Sequence, residues 1–208
     1  VSDAVQDCDI VIINAGSSAG RDDYTVHAIR DLGEVLTHGV AIKPGKPVIL
    51  GKVQGKPVIG LPGYPVSAYL TFVEFVVPVK RVPAKLSKTL MSGLKYEEYV
   101  RVKLGIVEGE LIASPLERGA GASMSLVRAD GFCVIPQNRE GIAAHETVLV
   151  ELVRDMEQIG KTLVLIGSHD LILDVINDRM MEETKDMCLS STHVGSLSGL
   201  IALKKKEA

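Results

Sequence analysis

Residues 9–25, Asp9-Ile10-Val11-Ile12-Ile13-Asn14-Ala15-Gly16-Ser17-Ser18-Ala19-Gly20-Arg21-Asp22-Asp23-Tyr24-Thr25, allow few folds. The apolar, mostly β-branched run that ends at Ile13 is the pattern of a strand buried on both faces. Gly16 to Gly20 follows with almost no side-chain bulk. Asp22 and Asp23 then stand where a helix N-cap belongs. Strand, bare turn and helix start make a βα unit. Such a turn lets backbone N–H groups approach an anion, here with a carboxylate beside it. An ordinary βα turn whose aspartates only cap fits these residues equally well.

Two later stretches repeat the pattern. Tyr24 to Leu32 fits a helix with Val26, Ile29 and Leu32 inward, ended by Gly33. A short strand, Val40 to Ile42, then stops at a Pro44-Gly45 turn flanked by Lys43 and Lys46. Those lysines are either solvated or form a clamp for a phosphate or oxyanion. Further on, the buried strand Val58 to Leu61 runs into Pro62-Gly63-Tyr64-Pro65 and a helix. Pro65 suits the first turn, where its missing N–H does no harm. Val66, Leu70, Val73 and Val77, with Phe72, Phe75 and Val76, make that helix apolar nearly all round and therefore buried. Three small, polar or cationic turns at strand ends predict a site, because ligands of open α/β sheets gather at the carboxyl ends of strands.

Composition narrows the partners. At 208 residues the chain can form one large or two small domains. Net charge is −3 and the basic residues are scattered apart from Lys204-Lys205-Lys206, so nucleic acid is not expected. Cys8, Cys133 and Cys188 are far apart, without a Cys-x-x-Cys pair, and the histidines lack ligand spacing. The expectation is three reduced thiols, a cytoplasmic location and no structural zinc. No apolar run approaches the roughly 18 residues of a membrane span. A start at Val1, close before a strand, and a helix-like end without a stop signal predict a fragment of a longer protein.

From Pro83 to Gly93 the composition reads as a linker. Glu98 to Ile106 then alternates, with Val100, Val102, Leu104 and Ile106 on one side and Arg101 and Lys103 on the other, which predicts a half-exposed strand. Strand-like runs follow at 110–113, 124–129, 131–135 and 147–153, predicting a small β-barrel or sandwich. Thr162 to Ile166 reads as another buried strand, followed by Gly167-Ser168-His169-Asp170 and a helix with Ile172, Val175, Ile176 and Met180 inward. The turn Ser190-Ser191-Thr192-His193 precedes Gly195-Ser196 and a last helix. Serines at two helix starts suit either an oxyanion or plain capping.

The stretches Gly16 to Thr25, Ala41-Ile42-Lys43-Pro44-Gly45-Lys46-Pro47 and Leu61-Pro62-Gly63-Tyr64-Pro65-Val66-Ser67-Ala68, in this order and spacing, resemble the molybdopterin molybdenumtransferases, the MoeA / gephyrin E-domain family. Arg118-Gly119-Ala120-Gly121-Ala122-Ser123, Arg128-Ala129-Asp130-Gly131 and Ile135 to Gly141 are similar to that family's C-terminal β-domain. Gly167 to Asp170 with His193 to Ser196 resembles a periplasmic-binding-protein-like domain fused to some of these transferases. The resemblance implies an α/β architecture in three parts: a partial molybdopterin-binding (MogA-like) three-layer domain at 1–84, a small β-barrel at 85–156 and the start of a binding-protein-like α/β domain at 157–208. That last piece is too short to close a two-lobed fold and should lean on its neighbours or on another chain.

The implied activity is insertion of molybdate into adenylylated molybdopterin, with Mg²⁺ and release of AMP. Asp23 falls on the family's catalytic, metal-binding aspartate, and Lys43 and Lys46 on its catalytic lysines. Gly16, Ser17, Ser18, Gly20, Pro44, Gly45, Gly63, Pro65 and Ser67 fall on elements that bind the cofactor. A dimer with sites shared between subunits is also implied. Pterin phosphate, nucleotide phosphate and oxyanion are all negative, so cations and backbone N–H donors must hold them together. A carboxylate among them is explained by a hard metal ion or a proton. Asp22 is a second ligand or an N-cap, and Arg21 pairs with phosphate or is solvated. Arg118, Ser123 and Arg128 are scaffold, or the arginines reach a substrate phosphate. His145 is expected at the surface. Two departures stand out: Ala15 to Gly20 replaces the usual Gly-Gly-Val-Ser-Val-Gly, and Tyr64 replaces an Asn, either reshaping the pocket or turning outward. They motivate a second reading, a molybdate or molybdopterin sensor or carrier that does not catalyse. A third reading is a structural scaffold.

Overall fold

The computed structural model describes residues 1–17, 24–116, 118, 123–184 and 187–205, with backbone alone for 15–17. Arg21, Asp22 and Asp23, and with them Ser18 and Gly20, lie outside the described residues. The first part opens with helix α1 (Ser2–Asp7), strand β1 (Val11–Ser17), helix α2 (Tyr24–Leu32) and strand β2 (Glu34–His38). It continues with β3 (Ile42–Lys43), β4 (Ile49–Val53), β5 (Lys56–Pro62) and helix α3 (Pro65–Val76). Four of these strands form a sheet in the order β1-β5-β4-β2, with β1 and β5 parallel and the other pairs antiparallel. The β4–β5 hairpin turns at Gln54 and Gly55, both at positive φ, as a two-residue hairpin with the twist of its strands requires.

Three layers result. On one face, Val26 and Ile29 of α2 pack with Val5, Val11, Ile49, Val53 and Val58. On the other, Ala68, Phe72, Phe75 and Val76 of α3 cover Val48, Ile59 and Leu61. β1 differs from the doubly buried strand its composition suggests. It lies at the sheet edge, α3 does not reach over it, and Ile12 stays 40% exposed. It also runs on to Ser17, so Gly16 and Ser17 belong to the strand and not to the turn. Val77, expected inside α3, is its exposed C-cap.

The second part comprises β6 (Arg81–Leu86), β7 (Leu90–Met91), β8 (Glu97–Val107), β9 (Glu110–Pro115), helix α4 (Ser123–Arg128), β10 (Gly131–Ile135), β11 (Gly141–Ile142) and β12 (Thr147–Leu152). Five strands close a barrel in the order β10-β12-β6-β9-β8, with β8 returning to β10; only β6 and β9 run parallel. The expected linker from Pro83 is therefore mostly strand. Val82, Ala84 and Leu86 of β6 alternate inward, a period of two that the surrounding Pro and Lys obscure. The run at 124–129 is a helix, because a six-residue apolar segment does not distinguish the two periods.

β8 is not half-exposed, because both of its faces are covered through most of its length. Val100, Val102 and Leu104 fill the barrel with Leu86, Ala113, Ile135 and Val150. On the outer surface Tyr99 and Phe132 join Ile42 and Leu70, with Tyr69 of α3 and Leu126 of α4 against them. α3 thus has the sheet on one side and the barrel on the other. Burying a side chain such as Phe132 contributes about 1.5–3 kcal/mol, so this shared core fixes the two parts against each other.

The third part holds α5 (Met156–Gly160), β13 (Thr162–Gly167), α6 (Leu171–Thr184), β14 (Cys188–His193) and α7 (Ser196–Lys204). β13 and β14 pair in parallel across α6. The piece does lean on its neighbour: Val164 sits over Gly105 of β8, where a Cβ would fall 2.0 Å from Val164 Cγ2. Of β13 only Thr162 is buried, and no residue of α6 is. Of the expected inner face of α6, Ile172, Val175 and Ile176 are exposed and Met180 is half-buried. The side turned to β14 carries Leu173 and Asn177 instead, with Asn177 Oδ1 accepting the Leu189 amide at 2.7 Å.

Candidate functional site

The Lys43-Pro44-Gly45-Lys46 turn does not end a strand of the first sheet. β3 leaves that sheet and pairs in parallel with the start of the barrel strand β8, placing Ile42 against Glu97 and Lys43 against Glu98. The Glu97 amide also donates to the Ala41 carbonyl at 2.9 Å. Of the three turns expected at one rim, this one therefore belongs to the seam with the barrel. The loop closes on itself, with the Gly39 amide donating to Val48 O at 2.8 Å and the Val40 amide to Lys46 O at 2.9 Å. The Lys43–Pro44 peptide is cis. Gly45 sits at φ +113°, and a Cβ there would lie 2.7 Å from Thr71 Cγ2 on α3. The Thr71 hydroxyl donates to Ser67 O at 2.8 Å.

This seam encloses a cavity of about 500 Å³. Lys43, Pro44, Gly45, Lys46 and Ser67 line one side, and Tyr96, Glu98, Arg101 and Arg118 the other. Among the described residues four cationic side chains thus face one carboxylate. Glu98 is buried, and Lys43 Nζ and Arg118 Nη1 lie 3.8 Å and 3.4 Å from its Oε1. Ser92 Oγ donates to Glu98 Oε2 at 2.6 Å, and Arg118 Nη1 donates to the Met91 carbonyl at 2.7 Å. Burial lowers the pKa of the Arg101 guanidinium below its ordinary value. Lys46 Nζ stands 5.8 Å from the Tyr96 ring centroid and Lys95 Nζ 5.6 Å. Desolvation pushes the Tyr96 phenol up, but Lys46 and Lys95 together bring it below the usual tyrosine value. A cavity of this size and sign suits a ligand carrying several negative charges.

The other expected residues are placed differently. Gly16 and Ser17 end β1, and Ser17 is the register partner of Pro62. Gly63 and Pro65 are exposed at the start of α3 and do not line the cavity. Tyr64 is 65% exposed, so its bulk turns to solvent and leaves the cavity alone. Ser123 and Arg128 are exposed on α4, outside the cavity, and His145 is at the surface. Sequence reasoning missed Tyr96, Glu98 and Arg101. Glu98 shares the phase of Val100, Val102 and Leu104, and a carboxylate on the core face of a strand needs partners. That was the available signal.

In the third part Ser168 Oγ and Ser196 Oγ meet at 2.6 Å, and His169 Nδ1 lies 3.4 Å from His193 Nε2. Asp170 accepts the Ile172 amide at 3.0 Å, which is a helix-capping bond.

Residues 1–81 match the family described as "Probable molybdopterin binding domain", and residues 83–153 match "MoeA C-terminal region (domain IV)". A protein of Methanocaldococcus jannaschii assigned to molybdopterin biosynthesis is 37% identical over 158 residues, covering 74% of this chain and 39% of that protein. A molybdopterin molybdenumtransferase of Haemophilus influenzae is 31% identical, covering 71% of this chain and 40% of the enzyme. The crystal structure of a molybdopterin biosynthesis MoeA protein from Pyrococcus horikoshii superposes with a TM-score of 0.61 at 38% identity, covering 74% of this chain and 39% of that one. The chain thus spans about two fifths of the length of these relatives.

Proposed function

The chain belongs to the MoeA family of molybdenum cofactor biosynthesis, and from that membership we propose that it carries part of the active site of a molybdopterin molybdenumtransferase. The reaction is insertion of molybdate into adenylylated molybdopterin with release of AMP. One observation carries the reading: Lys43, Lys46, Arg101 and Arg118 converge on a single cavity at the seam of the two matched domains. Held cations of this kind neutralise phosphate and oxyanion charge without reorganising as the reaction proceeds. Lys43 and Lys46 are assigned to the transferring groups. Pro44, Gly45 and Ser67 shape the wall that meets the pterin, while Gly16 and Ser17 at the end of β1 and Gly63 and Pro65 at the start of α3 lie beside it.

Magnesium enters this reading through Asp23 and substrate phosphate oxygens. Among the described residues no cluster of three ligating side chains forms, and Glu98, the one carboxylate at the cavity, is already engaged by Lys43, Arg118 and Ser92. No step is therefore assigned to the ion. The same reading includes a homodimer and a cytoplasmic location; all three cysteines are free, which agrees with a reducing compartment. Among the described residues no helix is long and apolar enough to cross a membrane. We divide the chain into three units as the resemblance implied, but the boundary expected at 84/85 falls inside the barrel strand β6 (Arg81–Leu86) and the one expected at 156/157 falls inside α5 (Met156–Gly160), so the units meet before Arg81 and before Met156. The parallel β13–α6–β14 crossover supports a binding-protein-like character for the last.

The test is molybdate-dependent AMP release by the full-length protein. Turnover lost in Lys46→Ala and in Asp23→Asn supports the enzyme. Tight binding of molybdopterin without any turnover supports the sensor reading instead.

A further inference from the structure

A cavity lined for anions keeps a carboxylate in its wall. Glu98 is 4% exposed, yet it stands among the groups expected to meet phosphate. An ionised carboxylate there opposes the ligand unless its charge is spent on something else. We propose that Glu98 is a positioning residue that clamps Lys43 and Arg118 together as one fixed cationic pair facing the ligand. The proposal rests on reading the cavity as a polyanion site.

The geometry assigns each oxygen. Oε1 lies 3.8 Å from Lys43 Nζ and 3.4 Å from Arg118 Nη1, and Oε2 accepts from Ser92 Oγ at 2.6 Å. The two cations arrive from different parts of the chain: Lys43 on β3 of the first domain, Arg118 beyond β9 of the barrel. Side by side without a counter-charge they would repel, and each long side chain would swing into solvent. Lys43 is 62% exposed along its side chain and Arg118 41%, so neither is held by packing. The parallel register of Lys43 with Glu98 sets the first contact, and the bond from Arg118 to Met91 O sets the second. Burial strengthens both contacts, because the solvent that screens surface pairs is absent on the Glu98 side.

Two physical models predict opposite signs. If Glu98 acts only through its charge, deleting that charge from an anion site tightens anion binding. If it is a clamp, deleting it loosens Lys43 and Arg118 and weakens binding. The experiment is calorimetric titration of the full-length protein with inorganic pyrophosphate, comparing wild type with Glu98→Gln and Glu98→Asp. The clamp predicts about tenfold weaker binding for Glu98→Gln, and a smaller loss for Glu98→Asp, which keeps the charge on a shorter arm. Equal or tighter binding by Glu98→Gln overturns it.

A second measurement does not depend on ligand. Phenylglyoxal modification of Arg118 is followed by peptide mass spectrometry, with exposed Arg128 on α4 as internal reference. The Arg118-to-Arg128 rate ratio should rise several-fold in Glu98→Gln; an unchanged ratio overturns the clamp. Wild type that fails to bind pyrophosphate overturns the polyanion reading, and the rate ratio then decides the clamp by itself.

Discussion

The Asp130 carboxylate holds Lys103 at 2.8 Å through Oδ1 and the Leu104 amide at 2.9 Å through Oδ2. Both side chains are buried, at 1% and 10% exposure, so the barrel strand β8 is pinned to the loop before β10 by a charged contact inside the protein. Arg154 Nε adds a longer contact at 3.6 Å. Removing one partner of such a pair leaves the other charge without compensation, at a cost of about 3–5 kcal/mol. Asp130→Ala should lower barrel stability by that amount. Asp130→Asn keeps an acceptor for the Leu104 amide and should cost less. Urea unfolding of wild type and both variants checks the order; equal midpoints of the two variants would mean that the acceptor for the Leu104 amide contributes nothing, and a wild-type midpoint no higher than that of Asp130→Asn would mean that the charge contributes nothing.

Gly45 is constrained twice. Its φ of +113° disfavours any side chain, and Thr71 Cγ2 occupies the space a Cβ needs. Gly45→Ala should cost about 1–3 kcal/mol in strain and displace Lys46 from the cavity. Thr71→Ser removes the methyl while keeping the hydroxyl that donates to Ser67 O, so the double variant should recover part of the stability but not all. Thermal unfolding together with pyrophosphate titration separates the two contributions, since only the steric one is relieved.

Local chemistry of the site was legible where a turn has one obvious geometry. The start of α3 at Pro65, the end of α2 before Gly33 and the Lys43 to Lys46 turn could all be read from residue type. What the turn faces could not. β3 is two residues long, and its partner β8 begins more than fifty residues later, so no local pattern joins Lys43 to Glu98. The same limit explains β6. Pro83 and two flanking cations suggest a loop, and only pairing with β12 and β9 makes it a strand. On α6 the apolar periodicity is real, yet burial needs a covering surface that the periodicity does not supply.

Gly105 is the position where β13 meets the barrel strand β8, beside the α5 contact made by Ile159. A Cβ there would collide with Val164 Cγ2 at 2.0 Å, and the Thr162 carbonyl oxygen is 3.9 Å away. Gly105→Ala should therefore push β13 off β8 while leaving the interior of the barrel, on the opposite face, intact. The expected result is faster tryptic cleavage after Lys161 with the barrel unfolding transition unchanged. Val164→Ala in the same chain should restore resistance, because it removes the opposing methyls. Protection unchanged in Gly105→Ala would show that the contact does not hold β13.

Glu74 on α3 gives a pH test. Burial, and then the neighbouring Glu151, raise its carboxyl above the ordinary value of 4.5, against a smaller opposing pull from a Tyr99 hydrogen bond and Arg81. Its Oε2 is buried without a hydrogen-bond partner among the described residues. Arg81 does not supply one: its Nε and Nη2 donate to Glu151 Oε1 at 2.9 Å and 2.6 Å. The sign follows from linkage. Below 4.5 the carboxyl is protonated in both folded and unfolded chains, and no penalty exists. As pH rises through that value and then through the raised one, the unfolded chain ionises first and the folded state loses stability. Glu74→Gln removes the charge and with it the loss. The variant should be more stable than wild type at pH 7, and the two should converge at pH 4. Urea unfolding at both pH values measures the gap; a variant that is less stable at pH 7, or a gap of the same size at pH 4, would show that the Glu74 charge is stabilising or neutral where it lies.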